Sequence, residues 1–260
     1  MDITYGSYLK IPELLALQQP AGSPAEHDET LFIVIHQVYE LWFKQQLHEG
    51  DRLGELMERA DWQHAEATLV RMLKILKTMV AQIDVLETMT PISFLQFRNF
   101  LQSASGLQSW QFRAFEMMLG SKDARAVARY PEGSAERGEL ARRLAAPSLW
   151  LRFARGLAAS GFAVPRTTLD RDPVLGTEPD PAMQAVLLQA YRAGGPIMQF
   201  SESLVDLDEG VQEWRYRHVK MVERTIGARQ GTGGSAGVAY LKSTLFRPLF
   251  PDLWEIRSDL

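Results

Sequence analysis

The chain has 260 residues and no cysteine. Disulfides, thiolate catalysis, iron–sulfur clusters and cysteine-bound zinc are therefore all excluded. Because the net charge is −4 and no long basic run occurs, a nucleic-acid partner is not expected either. The longest apolar run covers residues 31–35, whereas a membrane helix needs about 20 apolar residues, and the N-terminus has no signal-peptide pattern. We therefore expect a soluble, cytoplasmic protein without a membrane or nucleic-acid partner.

Several metal and nucleotide motifs are also missing. A di-iron helical bundle would repeat Glu-x-x-His, and a zinc protease would carry His-Glu-x-x-His, but neither pattern occurs. The glycine-rich segment 227–237 formally matches a dinucleotide fingerprint at Gly231, Gly233 and Ala236. However, a helical pattern precedes it where that motif needs a strand, and no Gly-Lys-Ser/Thr occurs. Two interpretations stay open: a plain connection between helices, or a segment whose backbone can approach a ligand closely.

Helical periodicity dominates what is present. Between 200 and 225, residues recur at alternating spacings of three and four, which places them on one helix face. They are Phe200, Leu204, Leu207, Val211, Trp214, His218, Met221 and Thr225. The same spacing recurs over 66–89, and a third, largely apolar helix is expected to start with Ser23 as its cap and run to about residue 43. The pattern predicts an all-α fold, a bundle of long helices with short extra helices, in a single domain over 1–260.

Two of the five histidines, His36 and His218, lie on apolar faces of the predicted long helices. His218 stands where the periodicity would place a leucine. Either histidine alone is more often a core residue whose hydrogen bonds are satisfied within the protein. Two in one helical bundle also suit a haem site, because a buried histidine is how such a bundle binds haem iron. Arg215 lies off the apolar face of its helix and is expected to be solvated.

Arg98 lies among three aromatic residues, Phe94, Phe97 and Phe100. A guanidinium in such surroundings can pair in a fork with the carboxylate of a ligand that also carries a flat ring. The alternative is an arginine whose aliphatic part follows the protein surface towards water.

Four parts of the chain carry motifs that lie in order at 27–42, 86–98, 105–113 and 214–235. The residues of these motifs are His27, Asp28, Glu29, Leu31, Phe32, Ile33, His36, Gln37, Glu40, Leu41, Trp42, Leu86, Glu87, Thr88, Met89, Thr90, Pro91, Phe97, Arg98, Ser105, Gly106, Gln108, Ser109, Gln111, Arg113, Trp214, Arg215, Arg217, His218, Gly231, Thr232, Gly233, Gly234 and Ser235. Taken together, they resemble the tryptophan 2,3-dioxygenase family. Matches in order from Tyr5 to about Trp254 extend the resemblance over essentially the whole chain.

The resemblance implies a haem b cofactor, held between helices with ferrous iron in the active state, and L-tryptophan and O2 as substrates. His218 would be the proximal ligand of the iron. His36 would be the catalytic-site histidine on the distal side and would hydrogen-bond the indole N–H. Arg98 would bind the substrate carboxylate, and Thr232 the ammonium group. The reaction would insert both oxygen atoms across the indole C2–C3 bond and give N-formyl-L-kynurenine, the first step of tryptophan catabolism by the kynurenine route.

Other site residues follow from the same resemblance. Phe32 and Phe97 would line the pocket for the indole ring, and Ser105 and Gly106 would lie near the oxygen site. One departure concerns Phe94, because some family members have a tyrosine at this position. A hydroxyl contact to the substrate carboxylate is then missing, and a charge-assisted hydrogen bond is typically worth about 1.5–3 kcal/mol.

The N-terminal arm, residues 1–20, is unusually apolar for a chain terminus. It either docks on its own core or, as the resemblance implies for Tyr5, Tyr8 and Leu9, closes the active site of a neighbouring subunit in a homotetramer. Two other functions stay open from the residues themselves. One is a haem-binding sensor or carrier without catalysis, and the other is a purely structural helical oligomer.

Overall fold

The computed structural model describes residues 2–231 and 237–260. The α-helices are α1 (Tyr5–Leu9), α2 (Ile11–Leu15), α3 (His27–Glu58), α4 (Trp62–Leu86), α5 (Pro91–Arg98), α6 (Trp110–Leu119), α7 (Ala124–Val127), α8 (Ala135–Ala145), α9 (Leu149–Ala159), α10 (Arg166–Leu169), α11 (Pro181–Ala193), α12 (Gly195–Ile226), α13 (Val238–Lys242) and α14 (Pro251–Glu255). Single 3-10 turns lie at Asn99–Leu101, Gly106–Gln108 and Ile256–Ser258. No β-strand occurs in these two ranges, and the all-α prediction is confirmed.

Three long helices form the centre of the bundle, with α4 packed against both α3 and α12. The face of α4 that the sequence predicted is the buried one. It consists of Leu69, Met72, Leu76, Met79, Ile83 and Leu86. Asp61 caps the start of α4 by accepting a hydrogen bond from the His64 amide at 3.3 Å. The apolar spacing therefore explains both why this helix forms and which of its faces is buried.

The run Gly194-Gly195-Pro196 predicts a break in the helical pattern before residue 200, and Gly227 predicts the end of the helix that follows. Both are present at the two ends of α12. Gly194 and Gly227 flank the helix with positive φ angles of 69° and 59°, where glycine is favoured. The first half of the predicted face is buried in the main core: Phe200, Leu204, Leu207 and Val211. The second half lies against a cavity: Trp214, His218, Met221 and Thr225. One continuous apolar spacing thus serves two different environments.

The predicted start of α3 is wrong. The helix begins at His27, and neither Ser23 nor the residue before the first turn provides a side-chain cap. The segment before it is instead held by Glu29, whose two carboxylate oxygens accept the amides of Ala21 at 2.7 Å and Gly22 at 2.9 Å. Because Glu29 is almost fully buried, this contact outweighs the local capping preference.

The spacing of Ser105 and Gln108 predicts a capping box that opens a helix ending near Gly120. The box is present, but it closes a single 3-10 turn. The following helix, α6, starts later, at Trp110, with Ser109 accepting the Phe112 amide at 3.2 Å. The side-chain pattern was therefore correct, and the length of the element that it starts was not.

The N-terminal arm is not docked on its own core. Tyr5, Tyr8 and Leu9 are 78%, 74% and 42% exposed. Within the described part of the chain, hydrogen bonds fasten the arm to α3 near the arm's end, where Gln18 donates to the side-chain oxygen of Gln37 at 2.6 Å and Gln37 donates to the Leu17 carbonyl. Apolar side chains left in this state are typical of a surface that another chain covers.

A separate expectation concerns membranes. In the parts of the chain that the structure describes, no helix has the length and apolar character needed to cross a bilayer.

Candidate active site

A cavity lies between α3, α5, α6 and α12, and the segments on either side of the glycine-rich loop close it further. Most of its surface is apolar, with Phe32, Phe43, Phe94 and Phe112 among the lining residues. Both histidines that the sequence singled out face this cavity, one from α3 and the other from α12. A concave apolar site with a few polar groups is the usual form of a cofactor or substrate pocket.

His218 projects from α12 into the cavity one helical turn after Trp214. The two rings are stacked, with their planes 7° apart and their centroids 5.3 Å apart. Burial lowers the pKa of His218 to about 4, and the nearby charges of His36 and Arg113 act in the same direction. The imidazole is therefore neutral at physiological pH, which is the form that binds a metal ion.

His36 faces the same cavity from α3. The side chain is surrounded by protein atoms, although part of its ring remains accessible to water. That accessible part faces the cavity. Burial lowers the pKa of His36; the Phe32 carbonyl and the charge of Glu40 raise it and only partly compensate.

The tautomer of neutral His36 follows from its hydrogen bond. Its Nδ1 lies 2.7 Å from the backbone carbonyl oxygen of Phe32, and a carbonyl can only accept. We therefore assign the proton to Nδ1 and a free lone pair to Nε2. The imidazole is thus an acceptor towards a ligand N–H in the cavity.

Arg98 lies at the C-terminal end of α5 and lines the cavity near the glycine-rich loop. One of its terminal nitrogens donates to the Gln230 carbonyl at 2.6 Å. Its Nε is buried and has no hydrogen-bond partner among the described residues. A cation with unused donors suits a carboxylate ligand.

The other predicted site residues fall into different places. Phe32, Ser105 and Gly106 line the cavity. Phe97 is fully buried behind Phe32, with ring centroids 5.4 Å apart, so in this structure it supports the ring pocket and does not line it. The ring of Phe97 points into the second layer because its neighbour on α5, Phe94, takes the cavity-facing position.

Two further predictions concern the loop and the arm. Thr232 lies outside the described residues, whereas Gly231 and Gly237 on either side of it line the cavity. Tyr5, Tyr8 and Leu9 lie on the exposed arm and are not among the residues lining this chain's own cavity.

Sequence reasoning missed a group of charged residues in the cavity: Glu40, Arg113, Glu116 and Arg215. Arg215 in particular was expected to be solvated, yet its side chain is only 7% exposed. The reason is tertiary: its terminal nitrogen is 2.9 Å from the carboxylate of Glu116 on α6. The spacing of residues along one helix does not reveal a partner on another helix, and Glu116 lies 99 positions away in the sequence.

The residues present fit a haem group. His218 provides one neutral nitrogen, the aromatic side chains provide apolar surfaces for a flat macrocycle, and arginines in the lining suit the acidic groups that haem carries. Within residues 2–231 and 237–260, no cluster of three or more acidic or histidine side chains could hold a metal ion alone. A metal bound here would therefore have to bring most of its ligands with it, as haem iron does.

The fold and the site define a helical protein with an apolar cavity between two 32-residue helices, each of which presents one neutral imidazole to it. The family model described as "Tryptophan 2,3-dioxygenase" matches residues 1–144 and 180–260. The chain belongs to the tryptophan 2,3-dioxygenase family, as its sequence motifs predicted.

Individual relatives agree with the family match. The chain is 56% identical over 259 residues to the tryptophan 2,3-dioxygenase of Anaeromyxobacter sp. (strain K), covering 99% of this chain and 96% of the relative. It is 54% identical to the tryptophan 2,3-dioxygenase of Herpetosiphon aurantiacus, over 99% of this chain and 98% of that relative. It is 42% identical to the tryptophan 2,3-dioxygenase of Caulobacter vibrioides, over 100% of this chain and 99% of that relative.

Proposed function

We propose that this chain is a haem-dependent dioxygenase that inserts both atoms of O2 across the indole C2–C3 bond of L-tryptophan. The C2–C3 bond breaks, each carbon gains one oxygen atom, and the product is N-formyl-L-kynurenine. No external reductant is consumed, because both oxygen atoms enter the product. The observation that carries the proposal is the pair of neutral histidines facing one apolar cavity, of which His36 presents a free lone pair.

His218 would hold haem b through its neutral imidazole. When bound, ferrous haem supplies O2 binding and activation, which no side chain of this chain can provide. The residues of the chain then have three tasks: to bind the substrate, to orient it and to exclude water. The apolar lining of the cavity supports the last of these.

His36 would accept a hydrogen bond from the indole N–H at Nε2. An indole N–H is a very weak acid, so we assign His36 a positioning and hydrogen-bonding role and no full proton transfer. Phe32, whose ring centroid is 4.0 Å from that of His36, would pack against the indole ring. Together the two side chains would fix the plane of the substrate.

Arg98 would bind the substrate carboxylate through its unused donors, and Thr232 would hold the ammonium group together with the haem edge. Ser105 and Gly106, which line the cavity, would lie near the oxygen site. Phe94 offers no hydroxyl to the carboxylate, so Arg98 carries that interaction without help from this position. A fork-like guanidinium contact is strong enough to do so, since hydrogen bonds to charged groups typically contribute about 1.5–3 kcal/mol.

In the assembly, we propose a single domain over residues 1–260 that forms a homotetramer, with the N-terminal arm exchanged between subunits. The exposure of Tyr5, Tyr8 and Leu9 supports this, because these side chains do not pack against the core of their own chain. These residues would complete the substrate pocket of the neighbouring subunit. L-tryptophan and O2 are then the only small-molecule substrates required.

One assay tests the proposal. The purified, reduced protein receives L-tryptophan and O2, and its visible spectrum and the absorbance of N-formylkynurenine are followed together. A haem spectrum with product formation is the expected result. A haem spectrum without product would favour the sensor or carrier, and a protein that cannot be loaded with haem would favour a structural oligomer.

A further inference from the structure

Residues 238–250 lie along α12 and run in the opposite direction to it. We call this segment the C-terminal strap, with a near end at 238–245 and a far end at 247–250. Side chains of α12 contact the strap in an order that descends along the helix as the strap ascends. The contacts are Glu223 with Lys242, Arg215 with Thr244, Gln212 with Arg247, and Asp208 with Leu249 and Phe250. The strap is therefore antiparallel to the helix that carries His218.

The far end of the strap is held firmly. One oxygen of the fully buried Asp208 carboxylate accepts the amides of Leu249 at 2.8 Å and Phe250 at 3.1 Å. The same oxygen accepts the indole N–H of Trp254 at 3.0 Å. Leu249 and Phe250 also pack into the main core. Because breaking these bonds would leave a buried carboxylate without its donors, the far end is an anchor.

The near end of the strap is held much less tightly. The ammonium nitrogen of Lys242 lies 2.6 Å from a carboxylate oxygen of Glu223, and these side chains are 50% and 36% exposed. The hydrogen bond from Arg215 to the Thr244 carbonyl is 3.5 Å long, which is at the limit for such a bond. Within the short helix α13, only Val238 is buried. An exposed ion pair contributes little to stability, so the near end can open while the bundle stays folded.

Phe246 separates the two ends of the strap. Its φ angle is 58°, in the left-handed region that residues other than glycine rarely adopt. Its side chain is 88% exposed, so packing does not compensate for this strain. Directly after it, Gln212 donates to the Arg247 carbonyl at 2.7 Å and begins the anchored part. A hinge is a loop residue that absorbs a change in backbone angles, and rotation at Phe246 would relieve strain.

The near end of the strap also forms part of the cavity wall. Tyr240, Leu241 and Thr244 line the cavity together with residues of α3, α5, α6 and α12. The two long helices α3 and α12 are both packed against α4, so neither can move without unpacking the bundle. The near end of the strap can move without doing so. Its movement would widen the way to His218, which lines the same cavity.

We propose that the C-terminal strap is a hinged gate for haem. Its near end swings about Phe246 when the cofactor enters or leaves, and the ion pair of Lys242 with Glu223 closes it. The inference rests on the proposed function, which makes haem the ligand of this cavity. The anchor at Asp208 keeps the strap attached, so the opening is reversible. The gate sets the rates of haem uptake and release, whereas the contacts inside the cavity set the affinity.

The first test measures haem release from the loaded chain to an excess of haem-free myoglobin, followed by visible absorbance. Lys242→Gln removes the closing ion pair and should speed release about two- to fivefold, the range that an exposed ion pair contributes. Lys220→Gln is the matched control, because Lys220 also pairs with Glu223, at 3.0 Å, but lies on α12 itself. Each change removes one half-exposed positive charge, so general electrostatics act alike on both. Release from Lys220→Gln should match the native chain.

The second test locks the strap. Because the native chain has no cysteine, Glu223→Cys with Lys242→Cys gives a single pair of thiols that a reducible bismaleimide linker can bridge. Haem release from the bridged, loaded chain should be slower by about tenfold or more, and cleavage of the linker should restore the rate. Lys77→Cys with Glu213→Cys is the control pair. It bridges α4 and α12 at another exposed ion pair, 2.9 Å long, that does not involve the strap.

Slower release that is confined to the bridged strap pair supports the gate. Equal release rates in Lys242→Gln and Lys220→Gln overturn it, as does an unchanged rate after the strap is bridged. Equal slowing in both bridged pairs also overturns it, because general rigidity of the bundle would then be the cause. A native chain that cannot be loaded with haem overturns the proposed function as well, whereas a loaded chain with an ineffective lock overturns the gate alone.

Discussion

The two halves of α12 share one amino-acid spacing and differ in what covers them. Phe200, Leu204 and Leu207 in the first half are at most 1% exposed and pack into the main core. His218 and Thr225 in the second half face the cavity. In the core half, the residues at this spacing are all apolar, whereas in the cavity half His218 and Thr225 stand where the spacing would place a leucine. In this helix the polar exceptions to the periodic pattern therefore coincide with the cavity.

The largest effect is expected from a change in the cavity half. His218→Ala removes the proposed iron ligand and should abolish haem binding and dioxygenase activity. Haem content per chain, measured by visible absorbance, checks this, with circular dichroism as the control for folding. A variant that keeps a normal haem spectrum and full turnover would contradict the ligand assignment.

The matching change in the core half should act on stability. Leu207→Ala creates a cavity at a fully buried position and should lower the free energy of unfolding by about 2–5 kcal/mol. Urea unfolding of the haem-free protein measures this. At low denaturant the variant should still bind one haem per chain. A loss of haem binding without a loss of stability would show that the two halves are not separable.

A change at Arg98 should separate substrate binding from haem binding within the cavity. Arg98→Leu should raise the Michaelis constant for L-tryptophan about 10- to 100-fold, the equivalent of a charge-assisted hydrogen bond, and should spare haem content. Steady-state kinetics at saturating O2 give the answer, with Arg71→Leu, a surface arginine of α4, as the control variant. Unchanged kinetics would exclude the carboxylate role.

The smallest expected effect is a pH dependence of the free energy of unfolding, and it arises from histidines that face the cavity. Burial lowers the pKa of His218 to about 4 from an unfolded value of 6.5, and it lowers the pKa of His36 as well. As the pH falls, the unfolded chain therefore binds protons at these positions at a higher pH than the folded chain does. The free energy of unfolding of the haem-free protein should fall as pH decreases from about 6.5 towards 4.

His218→Leu provides the comparison for this pH dependence. Urea unfolding at pH 7.5 and at pH 5 should show a smaller decrease in the variant than in the native chain, because one of the two histidines is gone. Measurements above pH 5 keep the contribution of carboxylate titration small. An equal decrease in both proteins would mean that the cavity histidines do not cause it.

Periodicity predicted the parts of the fold that depend on one helix at a time. The inner face of α4 and the break at Gly194 were both predicted, because spacing and glycine act locally. The start of α3 was not, because a buried carboxylate, Glu29, overrides the local preference of Ser23. In the same way, only the packing of α6 against its neighbours reveals that Arg215 is buried.

For the site, the sequence motifs identified His36, His218 and Arg98, and these three lie around one cavity. The motifs did not distinguish Phe32, which lines the cavity, from Phe97, which lies behind it. Both are phenylalanines in an apolar helix, and which one faces the ligand depends on how α5 packs on α3. The roles of all these residues in the reaction stay predictions.

The continuity of α12 also has a consequence for how the protein matures in the cell. One unbroken helix runs from the core to the cavity, so the core packing of its first half helps to hold His218 at the cavity. We therefore expect the chain to reach its helical fold before any cofactor arrives, and newly made protein to wait as a folded, receptive precursor. Circular dichroism of protein produced under haem starvation, compared with the loaded form, should show the same helix content. Haem supply would then control the amount of active enzyme and not the amount of folded chain.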